Sequence, residues 1–230
     1  MNVAAFFDID GTITNTTILD PLIWYHRALD SKPRFALFAL GLLLRVPYYL
    51  AVDRRSRARC NVVFYRRYAG LSAGELREWH QRTFTTNLYR TIFTPALDCI
   101  RDHQRQGHRI ILVTGGLDVV MRPLADFLKA DGLIATRLAE YDGKCTGDID
   151  GPAIADERKA EIVRSISREQ GIDTALSFAY GDSLGDAPML ECVGHPVAVN
   201  ADSRLRRIAD ARGWPTLSWR AQSAIAEPEA

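Results

Sequence analysis

Residues 3–8, Val-Ala-Ala-Phe-Phe-Asp, form an apolar run that ends on a carboxylate, and a second carboxylate and a glycine follow at once in Asp8-Ile9-Asp10-Gly11-Thr12. Few folds accommodate that order. An unpaired carboxylate at the end of a buried strand is costly, whereas a chain that turns at Gly11 can aim both Asp8 and Asp10 into a crevice. Two more apolar runs end in the same way: residues 109–114 on Thr114-Gly115-Gly116, and residues 177–181 on Gly181-Asp182-Ser183. Short, continuously apolar runs read as parallel strands covered on both faces. Ligands of an open α/β sheet sit outside the carboxyl ends of its strands. The three junctions therefore predict one crevice lined by carboxylate, hydroxyl and carboxylate.

Helical patterns at 117–129 and 156–169, a strand at 196–199, a basic helix at 203–212 and a last strand at 215–219 continue the alternation. This predicts a doubly wound, mostly parallel, Rossmann-like α/β sheet. Residues 138–141 and 145–149, joined through Asp142-Gly143, read as a β-hairpin. Residues 220–230 read as a flexible polar tail. Residues 16–91 break the rhythm, with helical patterns at 19–29, 34–44, 56–68 and 73–88. So long a connection with its own helices is an inserted unit. The expected organisation is a core of 1–15 and 92–219 with a helical cap, 16–91, over the crevice. Residues 35–44 are the most apolar stretch, too short to span a bilayer and interrupted afterwards by Arg45 and Pro47. They read either as a buried or dimer-facing cap helix or as a segment lying at a membrane surface; monomer and homodimer both stay open.

The chemistry follows from the charges at the strand ends. Mg²⁺ favours one or two carboxylates together with phosphate oxygens and water, so Asp8 and Asp182 suit it, with Asp186 one helical turn further on. Thr114 and Gly115 offer a hydroxyl and unhindered backbone N–H groups, a cradle for an oxyanion or phosphate. Lys159, on the helix before the third strand, brings a positive charge. Composition removes several alternatives. Lys plus Arg number 29 against 28 Asp plus Glu, so no nucleic-acid partner is expected. The four cysteines are scattered, which excludes a zinc site or disulfide framework and fits a reducing compartment. No basic, apolar leader is visible at the N-terminus, so a cytoplasmic protein is expected.

Taken together, Asp8-x-Asp10-Gly11-Thr12, Thr114-Gly115-Gly116, Lys159 and Gly181-Asp182-Ser183-x-x-Asp186 resemble, in order and spacing, the four motifs of the haloacid dehalogenase-like hydrolases. The closest likeness is to the phosphoserine-phosphatase-like branch with a helical cap. The resemblance implies a phosphatase of small phosphate monoesters, with Asp8 as nucleophile and Asp10 as acid and base. It implies Mg²⁺ held by Asp8, the Asp10 backbone carbonyl and Asp182, with Asp186 in support. Thr114, Gly115 and Lys159 would hold the phosphoryl group. The sequence departs from phosphoserine phosphatases in two places: Gly11 replaces their serine, and Thr17 stands where a glutamate grips the substrate ammonium. Asp20 is a candidate substitute, and Arg57 and Arg59 are candidates for gripping a substrate carboxylate. Histidinol phosphate, phosphorylated amino alcohols and lipid-derived head groups are therefore alternative substrates. A non-catalytic phosphate-binding protein, or a membrane-surface protein built around 35–52, are the competing classes.

Overall fold

The computed structural model describes residues 2–219, so the expected tail at 220–230 lies outside the described residues. The chain runs β1 (Ala4–Phe7), then five helices: α1 (Asp20–Leu29), α2 (Lys32–Leu43), α3 (Val46–Asp53), α4 (Arg57–Tyr65) and α5 (Ala73–Arg82). There follow α6 (Thr94–Arg105), β2 (Arg109–Leu117), α7 (Asp118–Phe127), β3 (Gly132–Tyr141), β4 (Lys144–Asp150) and α8 (Glu157–Gln170). The chain continues through β5 (Phe178–Gly181), α9 (Ala187–Leu190), β6 (His195–Val199), α10 (Ser203–Arg212) and β7 (Thr216–Leu217). The strands form one sheet in the order β4-β3-β2-β1-β5-β6-β7. Every pairing is parallel except that of β3 with β4.

β1 occupies the middle of the sheet because its four residues are apolar on both sides. Ala4 and Phe6 pack in one cluster with Ile162 and Val163 of α8 and Leu205 of α10. Ala5 and Phe7 pack in the other with Ile100 of α6 and Leu124 of α7. Covering both faces of a parallel strand is what its unbroken hydrophobicity requires. Residue 8, the next in line, emerges at the carboxyl edge with its N–H still donated to the Tyr180 carbonyl, 3.0 Å away.

The helices between β1 and α6 leave and re-enter the core side by side. Asn15 donates its N–H to the Thr91 carbonyl and Phe93 donates to Ile13, so the outgoing and returning chains pair antiparallel around Thr14 and Ile92. The inserted segment also leans on the β3–β4 hairpin. Gly70 donates to Cys145, Cys145 to Leu71, and Ala73 to Gly143. Gly147, at φ +90°, lies so close to Ala69 and the Arg66 backbone that a Cβ would collide with them. That contact between insert and hairpin has no local signal in the sequence.

Three elements differ from expectation. β3 begins at Gly132, six residues before the expected hairpin strand, because its first half pairs parallel with β2. α5 ends at Arg82 rather than near 88: the Thr83 side chain donates to the Trp79 carbonyl, and the β-branched and amide residues that follow favour a turn. Residues 46–53, left without an element by Arg45 and Pro47, form α3, with Pro47 in the first turn where its missing N–H costs nothing.

Two histidines are buried in neutral form. His103 bonds Tyr180 Oη and His108 Nδ1, each at 2.8 Å, and burial with the neighbouring His108 pushes it down to about 4. Burial alone takes His80, in α5, to about 4. A histidine depressed in the folded state stabilises the fold above its unfolded value near 6.5 and loses that contribution as pH falls towards 4. Urea unfolding should therefore become easier across this window, by roughly 1 kcal/mol per pH unit for each histidine. The slope should be shallower in His80→Leu; an unchanged slope would show that His80 is not held neutral.

Candidate active site

Four chain segments meet at the carboxyl edge of β1, β2 and β5 and enclose a cavity of about 210 Å³. Asp8 ends β1. Its Oδ1 receives the Lys159 ammonium at 2.5 Å, and its Oδ2 accepts from Thr12 at 3.3 Å. Lys159 comes from the first turn of α8 and also reaches Asp186 Oδ1, at 2.6 Å. The other oxygen of Asp186 accepts from the Asp182 N–H, the Ser183 N–H and the Ser183 hydroxyl, so the loop after β5 is folded around it. Asp10 Oδ1 accepts from Thr16 Oγ1 at 2.6 Å. Gly11, at φ +84°, makes the turn; a Cβ there would fall 2.2 Å from Asp182 Oδ2, inside any permitted contact.

On β2 the ladder to β3 shifts between Val113 and Leu117, which lifts residues 114–116 into the cavity. Thr114 Oγ1 accepts the Gly116 N–H, and the Gly115 carbonyl accepts from Thr136 and from Tyr65 Oη. A side chain at Gly115 would strike Asn61 Nδ2 at 2.6 Å.

The electrostatics centre on three carboxylates and one ammonium. Burial pushes Asp8 up to about 7 against the opposing pull of Lys159. Burial, then Asp186 and Asp8, push Asp182 up to about 9. Burial would also raise Asp186, but Lys159 outweighs it and holds that group below the usual carboxylate range. Lys159 would lose its proton more easily through burial, yet Asp186 and Asp8 keep its pKa above the normal value. Burial raises Asp10, opposed by the Thr16 hydrogen bond. Asp8, Asp182 and Asp186 each offer an oxygen within 4.8 Å of the others, and Asp182 forms no ion pair among the described residues. A divalent cation at this cluster would relieve that repulsion, so the donor set suits a hard, oxygen-loving ion such as Mg²⁺.

Of the residues anticipated from sequence, Asp8, Asp10, Thr114, Gly115, Lys159, Asp182, Asp186 and Arg57 line the cavity; Asp20 and Arg59 do not. Asp20 instead accepts from the Thr17 N–H and hydroxyl, at 2.6 and 2.8 Å. Arg57 parts from Arg59 by helix geometry. Residues 57, 61 and 65 of α4 repeat every four positions and share one face, which places Arg57 and Asn61 on the cavity and the Tyr65 hydroxyl on Gly115. Asn61 and Tyr65 were not anticipated, although a polar residue at every fourth position of an expected helix was the available signal. Asn61 Oδ1 is buried with no hydrogen-bond partner among the described residues.

Residues 5–191 match the model of the haloacid dehalogenase-like hydrolases. The chain belongs to this family. It is 33% identical over 220 residues to an inhibition of morphological differentiation protein of Streptomyces azureus, covering 94% of this chain and 78% of that one. It is 28% identical over 226 residues to a phosphoserine phosphatase of Mycobacterium tuberculosis, covering 96% and 72%. A crystal structure of a protein of unknown function from Bordetella pertussis superposes with a TM-score of 0.77 at 29% identity, covering 94% and 98% of the two chains.

Removing the buried ammonium would leave Asp8 and Asp186 facing each other without compensation. Lys159→Met in chelator should lose about 3–5 kcal/mol of unfolding free energy at pH 7. In the wild type, Asp186 contributes stability above its unfolded pKa, while Asp8 is already raised to about 7; in the variant Asp186 is raised as well, so both carboxylates favour the folded state when protonated. The difference between the two proteins should therefore shrink as pH falls from 7 to 5. A difference independent of pH would show that the ammonium does not hold Asp186 ionised.

Proposed function

We propose that this hydrolase cleaves a small phosphate monoester in two steps, by way of a phosphoryl group carried on Asp8. It is a phosphomonoesterase. The observation that carries the reading is the position of Asp8, at the floor of the cavity between the Lys159 ammonium and the carboxylates of Asp182 and Asp186. A carboxylate so placed is aimed at whatever anion the positive groups and backbone N–H groups receive.

In the first step an Asp8 oxygen attacks phosphorus, and the bond from phosphorus to the alcohol oxygen breaks. Asp10, whose carboxyl burial keeps protonated to higher pH than usual, gives its proton to the departing alkoxide. In the second step Asp10, now a carboxylate, takes a proton from water while the water oxygen attacks phosphorus. The bond to Asp8 breaks and inorganic phosphate leaves. Lys159, Thr114 and the backbone at Gly115 neutralise the oxygens of the transferring group. Asp8, the Asp10 backbone carbonyl and Asp182 would hold Mg²⁺, which supplies further charge neutralisation of the phosphoryl oxygens. Asp186 orients this set by fixing Lys159 and the Asp182-Ser183 turn.

The inserted helices act as a cap whose chain crossings pair at Thr14 and Ile92. Its face over the cavity carries Arg57, for an anionic group, and Asn61, whose free oxygen asks for a donor. No carboxylate from residues 16–20 lines the cavity, since Asp20 is turned to Thr17. Phosphoserine, with an ammonium to be held there, therefore fits less well than a monoester bearing hydroxyl or amide donors.

Phosphate release from an aryl phosphate should vanish in chelator and return with Mg²⁺, while Ca²⁺, which takes more ligands in looser geometry, supports it poorly. A panel of monoesters under the same conditions then ranks substrates. Undiminished release in chelator would defeat the metal assignment, and no release from any monoester would defeat the reaction.

A further inference from the structure

Helices α2 and α3 turn an apolar surface outward. Leu37 is 73% exposed, Leu40 53%, Leu43 66%, Leu44 72%, Tyr48 54% and Leu50 55%. Those are six of the eleven large hydrophobic residues exposed among the described residues, gathered in 14 consecutive positions, 37–50. Leu37, Leu40, Leu44 and Tyr48 follow at steps of three and four, so one stripe crosses the bend between the helices. The opposite side is already used: Leu42 and Tyr49 are buried in the core of the insert, and Phe38 packs beside His26 at 4.0 Å between ring centroids. A helix apolar on all sides ordinarily has both sides covered. Here only the inner side is covered by the protein.

The charges around the stripe identify what covers the outer one. From residue 31 to residue 59 the charged side chains are Lys32, Arg34, Arg45, Arg54, Arg55, Arg57 and Arg59, opposed by the single acid Asp53. Asp53 is itself tied to Arg57 at 3.1 Å. An exposed apolar stripe rimmed by cations is the pattern that seats a helix in the headgroup layer of an anionic bilayer. A second copy of the chain fits worse, because a two-fold interface would set this basic rim against itself. Among the described residues no single helix is long and apolar enough to cross a membrane; the α2–α3 pair bends by 41°, with Leu42 and Tyr49 packed in the protein.

We infer that the outer face of α2 and α3 docks on anionic lipid bilayers, with the leucine stripe in the acyl boundary and the arginines on the headgroups. The site lies one short segment away. Arg54, Arg55 and Ser56 border a recess that shares Arg57, Asp156, Ser183 and Gly185 with the active-site cavity. Docking requires no turnover, so it stands or falls separately from the proposed reaction.

The full chain should co-sediment with phosphatidylglycerol-rich vesicles and far less with pure phosphatidylcholine, and high salt should release it. Leu40→Glu/Leu44→Glu should abolish sedimentation while leaving the circular dichroism spectrum and aryl phosphate turnover unchanged. Arg54→Glu/Arg55→Glu should weaken partitioning about fivefold or more for each arginine replaced, at an unaltered leucine stripe. The proposal is overturned if the wild type stays in the supernatant with both vesicles, or if both variants pellet like the wild type. It is overturned equally if the wild type is a dimer that Leu40→Glu/Leu44→Glu converts to a monomer while neither binds vesicles, since the face would then belong to a second copy.

Discussion

The Lys159 ammonium, buried between Asp8 at 2.5 Å and Asp186 at 2.6 Å, ties together three parts of the chain that are far apart in sequence. Isolated, each of these charges would be expelled or neutralised by its surroundings. Held together they permit ionised groups at the bottom of a cavity whose walls are otherwise the ends of apolar strands. The arrangement still carries two more carboxylates than ammonium groups, because Asp182 is drawn to the same spot. That excess is a structural reason for a metal ion to be part of the working site. Both oxygens of Asp186 are engaged, one by Lys159 and the other by the Asp182-Ser183 turn.

Everything around this centre follows from keeping it in register. The two-sided burial of β1 fixes where Asp8 emerges, and Gly11 removes the one side chain that would collide with Asp182. On the far wall, the break in the β2 ladder brings Thr114 and Gly115 to the cavity lining, while Tyr65 of the insert bonds the Gly115 carbonyl. Thus the insert is fastened at three places: the paired crossings at Thr14 and Ile92, the hairpin near Gly147, and the cavity rim at Tyr65. The face of α4 that grips the β2 turn also turns Arg57 and Asn61 to the cavity.

The grouping of Asp8, Asp10, Thr114, Gly115 and Asp182 around one cavity was readable from sequence because each follows an apolar run or sits at a glycine turn, where local pattern and site coincide; Lys159, on a helix, was legible only in their company. β1, β5, α8 and α10 were legible for the same reason, their boundaries set by Gly11, Gly181, Gly171 and Asp202. What escaped was non-local. The first half of β3 owes its existence to β2, and the hairpin's hold on the insert rests on backbone bonds between segments about 70 residues apart. α3 was hidden by Arg45 and Pro47, which read as a break although a proline in a first turn opens a helix as readily as it ends one. Asn61 and Tyr65 are ordinary residues until the packing of α4 turns their shared face to the cavity. Asp20, attractive by its nearness to Thr17, turned out to be used by Thr17 itself.

The proposed reaction depends on covalent transfer of phosphate to Asp8, a step that Asp10→Asn would trap. The amide at position 10 leaves Asp8, Lys159 and the backbone carbonyl in place but removes the proton transfer, worth about 10²–10⁴-fold. An aryl phosphate has little need of that proton in the first step, whereas the second step depends on it. Acid-quenched Asp10→Asn, analysed by mass spectrometry after mixing with an aryl phosphate and Mg²⁺, should carry phosphate on the peptide containing Asp8. Asp8→Asn should carry none and should not turn over. A phosphate adduct on Ser183 or Thr114, or turnover that survives Asp8→Asn, would contradict the account.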